Sequence, residues 1–237
     1  MSTETEQIQA SSITPASAIT TRQLRFCWPG QVNAPVFPDI ELAQGEHLFL
    51  HGPSGTGKST LLGLLAGMLA PDSGSVDLLG QSLNTMRSGA RDRFRANHMG
   101  VIFQQFNLVP YLSALANVTL PCRLSPLRRA RTEPDHDTAA MALLEHLAVP
   151  ESHWQRGVTE LSIGQQQRVA AARALIGAPE IILADEPTSA LDADNRDRFL
   201  DLLLALAEQR RCSVVFVSHD RALASHFHHQ LALGGEA

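Results

Sequence analysis

Apolar residues along the chain alternate between short runs of strand length and longer stretches that repeat every three to four positions, the pattern of strands interleaved with helices. The first stretch departs from it. Residues 1–17 are rich in Ser, Thr, Glu and Gln with little apolar content, which predicts a flexible tail reaching to about residue 18 and a domain over 19–237. From Thr20 onward Leu24, Phe26 and Trp28 alternate with polar or small residues, predicting a strand that ends at Pro29-Gly30, and a second strand is expected near 36–42. A short apolar strand follows at His47–His51. Residues 58–69 read as a helix that is apolar nearly all round and therefore expected to be buried, ended by Pro71, Asp72, Ser73 and Gly74. A strand at 75–79, a polar segment carrying Arg87, Arg91, Arg93 and Arg95, and a buried strand at 99–103 come next.

Between about 107 and 156 the pattern becomes helical and broken by prolines, with helices expected at 112–118 and 138–148. The connection 121–137, with four arginines and three prolines, reads as an exposed loop. This region, about 105–178 when the following helix is counted, is expected to be a helical lobe inserted into an α/β core. Residues 161–177 read as a helix, 181–184 as a short strand, 197–209 as a helix with Phe199, Leu202, Leu203 and Leu206 on one face, and 214–217 as a buried strand. A short helix and a terminal strand near 230–233 complete the pattern. Strands alternating with helices imply an α/β fold with a mostly parallel sheet, whose ligands gather beyond the carboxyl ends of the strands.

Composition narrows the function classes. A chain of 237 residues can hold one large domain, or one with an inserted lobe. The net charge of −5, with no long basic block, argues against a nucleic-acid partner. Arg128, Arg129 and Arg131 accordingly read as a solvated loop. The three cysteines, Cys27, Cys122 and Cys212, are far apart and lack metal-ligand spacing, which predicts reduced thiols in a cytoplasmic protein. His226, His228 and His229 have no evident fourth ligand and read as a strand edge. No apolar run approaches the roughly 20 residues that span a bilayer, and the polar start is unlike a secretion signal, so a membrane role is expected to pass through a partner.

The chemistry concentrates in Gly52-Pro53-Ser54-Gly55-Thr56-Gly57-Lys58-Ser59-Thr60, between the apolar strand and the apolar helix. Glycine, four residues, Gly-Lys and Ser or Thr is the phosphate-binding loop pattern of a nucleotide hydrolase. Glycines let backbone N–H groups approach a polyphosphate, Lys58 adds a cation, and Ser59 can place a hydroxyl on Mg²⁺ at the helix start. Asp185 and Glu186 follow a buried strand, one placed to serve the metal and the other to orient or deprotonate the attacking water. Ser162 with Gln165 three residues later forms a capping-box pattern, itself a suitable anion-binding helix start.

Leu161-Ser162-Ile163-Gly164-Gln165, taken with these motifs, resembles the signature of ATP-binding cassette (ABC) ATPases, with Ile163 in place of the family's first glycine. The resemblance implies an ABC ATPase fold with an added antiparallel β subdomain. It implies that Ser162, Gly164 and Gln165 serve the γ-phosphate side, that Gln104 (Gln105 the weaker candidate) contacts metal and water, that Asp192 is the acidic member of a loop linking two sites, and that His219 is the switch histidine. Trp28 corresponds to the aromatic that stacks on adenine, with Phe26 in competition. Signature and phosphate loop are expected to meet only between two copies, a homodimer sandwiching two ATP molecules and driving a separate integral-membrane permease from the cytoplasmic face. The segments 103–108 and 117–121 most resemble the macrolide-efflux, lipoprotein-release and cell-division group. An alternative within the family is a non-transport ATPase that regulates an extracytoplasmic enzyme through a membrane partner. A chromosome-maintenance ATPase is disfavoured because the insert lacks sustained heptads.

Overall fold

The structure, a computed structural model, describes residues 16–30, 35–189 and 191–234. Nine strands are described: β1 (Ser17–Arg25), β2 (Glu41–Ala43), β3 (His47–His51), β4 (Ser73–Leu78), β5 (Gln81–Ser82), β6 (Met99–Ile102), β7 (Ile181–Asp185), β8 (Ser213–Ser218) and β9 (His229–Ala232). Seven helices accompany them: α1 (Lys58–Leu65), α2 (Ser88–His98), α3 (Ala114–Leu124), α4 (Pro126–Ala130), α5 (His136–His146), α6 (Ile163–Leu175) and α7 (Ala193–Gln209). Two sheets result, an antiparallel one in the order β2-β1-β4-β5 and a parallel one in the order β6-β7-β8-β3-β9. Helices α3 to α6 all fall between β6 and β7 in the chain.

Alternation along the parallel strands divides the core. Phe49 on β3 and Phe216 on β8 point to one side, toward Phe199 and Leu203 of α7 and the alanine-rich face of α6. Their neighbours Leu48, Leu50, Val215 and Val217 point to the other side, toward Leu61 and Leu65 of α1 and the antiparallel sheet. Register then aligns the strand ends, with His51 opposite Ser218, Asp185 opposite Val217, and Ile102 opposite Ala184. Whatever follows β3, β6, β7 and β8 therefore emerges along one edge.

Several expected boundaries move, each for a physical reason. The first strand begins at Ser17, so Ser17 and the buried Ala18 belong to the sheet, Ala16 O accepts from Gln44 N (2.9 Å), and residues 1–15 of the expected tail lie outside the described residues. A register shift between Arg22 and Arg25 breaks the alternation, and Trp28 stands beyond the strand. Val36 forms only an isolated bridge with Arg25, and β2 starts at Glu41. Helix α1 stops at Leu65 rather than at residue 69, because Gly67 turns left-handed (φ 64°) and Met68 and Leu69 donate back to Gly63 O. The polar segment forms the helix α2, which holds Arg91, Arg93 and Arg95 with Arg87 as its N-cap, and which buries only Phe94 and so carries little apolar periodicity.

The largest correction falls on 121–137. Helix α3 runs through Pro121 to Leu124, Ser125 Oγ caps α4, and Arg128 is buried rather than solvated. Its guanidinium donates to Met99 O (3.1 Å), Ala174 O (2.7 Å) and Ile176 O (Nε, 2.8 Å), carbonyls at the start of β6 and the end of α6. Arg131 in turn meets Glu180 (2.7 Å), which also meets His98 (3.0 Å).

Candidate functional site

The loop after β3 is folded onto itself by its own side chains. Lys58, the first residue of α1, donates from Nζ to Gly52 O (2.8 Å) and Pro53 O (3.0 Å), and Thr56 Oγ1 donates to Pro53 O (2.9 Å). Glycine is required at position 52 by close approach, since an added Cβ would lie 2.3 Å from Leu233 O at the end of β9. Gly57 caps α1 in the left-handed region (φ 91°), where a side chain would be strained. No side chain caps this helix and no acidic residue occupies its first turn, so its N-terminal N–H groups face an anion unopposed.

Four strand ends converge on one cleft of about 440 Å³, lined by Ser54, Gly55, Gly57, Lys58, Ser59, Thr60, Gln104, Asp185, Glu186 and His219. Gly52, Pro53 and Thr56 form the loop behind it. Gln104, just after β6, lines the cleft, whereas Gln105 is absent from its described lining. The hydroxyl of Ser59, the amide of Gln104 and the carboxylate of Asp185 form an all-oxygen donor set, the chemistry a hard divalent cation requires.

Glu186 and His219 are in contact, a relation that spacing alone does not reveal. His219 Nδ1 lies 2.9 Å from Glu186 Oε2, and Ser218 Oγ donates to the same oxygen at 3.4 Å. Glu186 adopts a left-handed backbone (φ 45°) held by donation from its N–H to Val217 O (3.0 Å), a costly conformation for a side-chain residue and one that fixes where its carboxylate points. The carboxylate side chain is 13% exposed and the imidazole 64% exposed, so the pair spans from wall to opening.

Trp28 stands at the edge of a second, apolar pocket of about 330 Å³ that shares Ser59, Thr60 and Asp185 with the cleft. Its indole N–H donates to Thr60 Oγ1 (3.4 Å), its edge meets Phe26 at 5.1 Å, and 46% of it remains exposed. Phe26 instead packs against the core, which leaves Trp28 the free aromatic face.

Two side chains, those of Arg173 and Asn117, shape the loop after Gln104 in a way that sequence reading does not show. Phe106 and Asn107 are both left-handed (φ 59° and 48°). Arg173 donates to their carbonyls (2.6 and 2.7 Å), and buried Asn117 both accepts from Val109 N (2.7 Å) and donates to Val109 O (3.1 Å). Burial pushes the pKa of the Arg173 guanidinium down. The available signal was an arginine on an otherwise small-residue helical face.

The signature residues lie apart from this cleft. Ser162 caps α6 in a full capping box, accepting from Gln165 N (3.3 Å) while Gln165 Oε1 accepts from Ser162 N (3.0 Å). Asp192 caps α7, accepting from Asn195 N (3.0 Å), and that bond holds its carboxyl below the usual range. Ser162, Gly164, Gln165 and Asp192 are absent from the described lining of the cleft, and Gly164 faces Leu191, 3.6 Å from where its Cβ would be.

The chain is similar to known proteins. The chain is 41% identical over 198 residues, 83% of this chain and 85% of the relative, to the uncharacterized ABC transporter ATP-binding protein YbbA of Escherichia coli K12. It is 39% identical over 206 residues, 86% of this chain and 87% of the relative, to the lipoprotein-releasing system ATP-binding protein LolD of Hydrogenovibrio crunogenus. Among solved structures, the dimeric post-hydrolysis state of the ATP-binding cassette MJ0796 bound to ADP and Pi superposes with a TM-score of 0.80 at 33% identity, over 91% of this chain and 94% of that one. The family described as ABC transporter matches residues 38–189, and the chain belongs to that family.

Proposed function

We propose that this chain is the ATP-hydrolysing subunit of an ABC transporter, closing head to tail with a second copy around two ATP molecules and driving a separate membrane permease. The observation that carries the reading is a division of labour. Phosphate loop, Gln104, Asp185, Glu186 and His219 share one cleft, whereas Ser162 and Asp192 cap the starts of α6 and α7 and, with Gly164, are absent from its described lining, available to the cleft of a partner. The dimeric cassette with ADP and Pi supports the same arrangement.

Lys58 and the N-terminus of α1 bind the phosphates, Gly55 and Gly57 line the cleft without side chains that would block their approach, and Trp28 offers a face to the base. Ser59, Gln104 and Asp185 would hold Mg²⁺, which supplies charge neutralisation on the phosphoryl oxygens. Glu186 takes the proton of the attacking water, and His219 holds Glu186 in place while presenting its other ring nitrogen to the γ-phosphoryl side.

Among the described residues no helix is long and apolar enough to cross a membrane. A groove of about 500 Å³ between α2, β6, α3 and α6 supports docking of an apolar helical segment of the permease. Exposed Met68 and Leu124 border it, and Phe103 lines it immediately before Gln104 enters the cleft. Groove and cleft are thus lined by consecutive residues, Phe103 and Gln104. The test is Glu186→Gln: it should bind ATP and dimerise while turnover falls by about a thousandfold. Brisk hydrolysis by that variant would refute the role given to Glu186.

A further inference from the structure

Arg196 stands one turn after Asp192 on α7, and its N–H donates to Asp192 O (2.9 Å), so both belong to one helical turn. Its guanidinium reaches the loop after β8, where Nη1 donates to Asp220 Oδ2, and Nε donates to Asp197 Oδ1 (3.0 Å). Only 17% of the Arg196 side chain is exposed, which separates it from freely solvated surface pairs of little energetic weight. Asp220 is also fixed locally, its N–H donating to Ser218 Oγ (3.1 Å) and its Oδ1 accepting from Ala222 N (3.0 Å). One residue earlier, His219 meets Glu186. A single three-residue segment, 218–220, is therefore gripped by α7 at one end and touches the proposed base at the other.

We infer that Arg196 is a positioning residue for ATP hydrolysis, holding the His219 imidazole against Glu186 through Asp220 and tying that pair to the helical turn that carries Asp192. The inference rests on the reading of Glu186 and His219 given above. Removing the guanidinium takes away the side-chain bond from α7 to Asp220, so the segment 218–220 loses that anchor. Lysine supplies a charge but lacks the planar fork that serves both carboxylates. ATP binding does not depend on the contact, because Arg196 and Asp220 are absent from the described lining of the cleft.

Steady-state ATPase kinetics, nucleotide affinity and melting temperature of the full chain test it. Arg196→Ala should lower kcat by about 10- to 100-fold, the cost of a displacement near 1 Å, with KM and nucleotide affinity unchanged. Arg196→Lys should fall between. Asp220→Asn, which keeps the oxygen that accepts from Ala222, should lose kcat as Arg196→Ala does, and the double variant should lose no more than the worse single. Arg198→Ala, an exposed arginine on the same helix, should keep wild-type kcat. If Arg196→Ala fails to fold, Arg196→Lys and Asp220→Asn carry the same comparison. Wild-type kcat in folded Arg196 variants, or losses that multiply in the double, would overturn the inference. Glu186→Gln and His219→Ala in the same series separate the two claims: turnover surviving in those sinks the catalytic reading itself, whereas their loss beside an unaffected Arg196→Ala sinks only this one.

Discussion

Arg128 brings a full charge into the interior, and among the described residues no carboxylate is within ion-pair distance of it. Burial pushes its pKa down to about 10, yet the side chain stays in place because the unpaired carbonyls at the end of α6 accept its N–H groups and the helix C-terminus favours a cation. Arg128→Ala should therefore cost about 2–4 kcal/mol by stranding those carbonyls, measured as a lowered midpoint of urea unfolding. Cys212 shows the opposite case. Burial raises its thiol from 9.0 to about 12. Because the folded-state value is raised, the thiol's contribution to stability is fully present below pH 9 and is lost as pH rises from there to about 12, at about 1.4 kcal/mol per pH unit. Arg128, with its lowered value, pulls the other way at the top of that window, so the comparison must be with Cys212→Ala, which should lack this alkaline slope. Equal slopes would show that the thiol is not held protonated. Cys212 stands immediately before a buried strand, so its protection could be read from its neighbours. The role of Arg128 could not, since its partners are 29 to 48 positions away.

Among the elements, β6 and α6 set the position of Gln104. Gly100 lets them touch: an added Cβ would lie 2.3 Å from Ala174 O, a backbone atom that cannot swing aside. Gly100→Ala should thus destabilise the protein by about 1–3 kcal/mol through overpacking, visible as a lower melting temperature. The strands themselves were legible because β3, β7 and β8 are continuous apolar runs bounded by polar residues, the mark of strands covered on both faces. Helix α2 was not, because a helix that buries one side chain has almost no periodicity to detect. Helix α4 was hidden by Pro126, which reads as a breaker but occupies the first turn, where its missing N–H costs nothing.

For the whole molecule, the signature residues are absent from the described lining of the cleft, and closure is expected to need a second copy. Ser162→Asp separates local from intermolecular roles. Aspartate keeps the α6 cap but places a negative charge where the partner's γ-phosphate would lie. In the Glu186→Gln background it should leave binding of a fluorescent ATP analogue intact and abolish the ATP-dependent doubling of mass in light scattering. A dimer that persists would remove Ser162 from the interface. Sequence by itself determined the phosphate loop, the acidic pair, the capped signature and the alternation of strands with helices, because each depends on neighbours within a few positions and on spacing that backbone geometry makes obligatory. Tertiary structure alone decided that Glu186 meets His219, that Gln104 rather than Gln105 lines the cleft, and that Arg128, Arg173 and Arg196 pin distant segments. Those contacts arise from parallel register and helix packing, which bring together residues that no local pattern links.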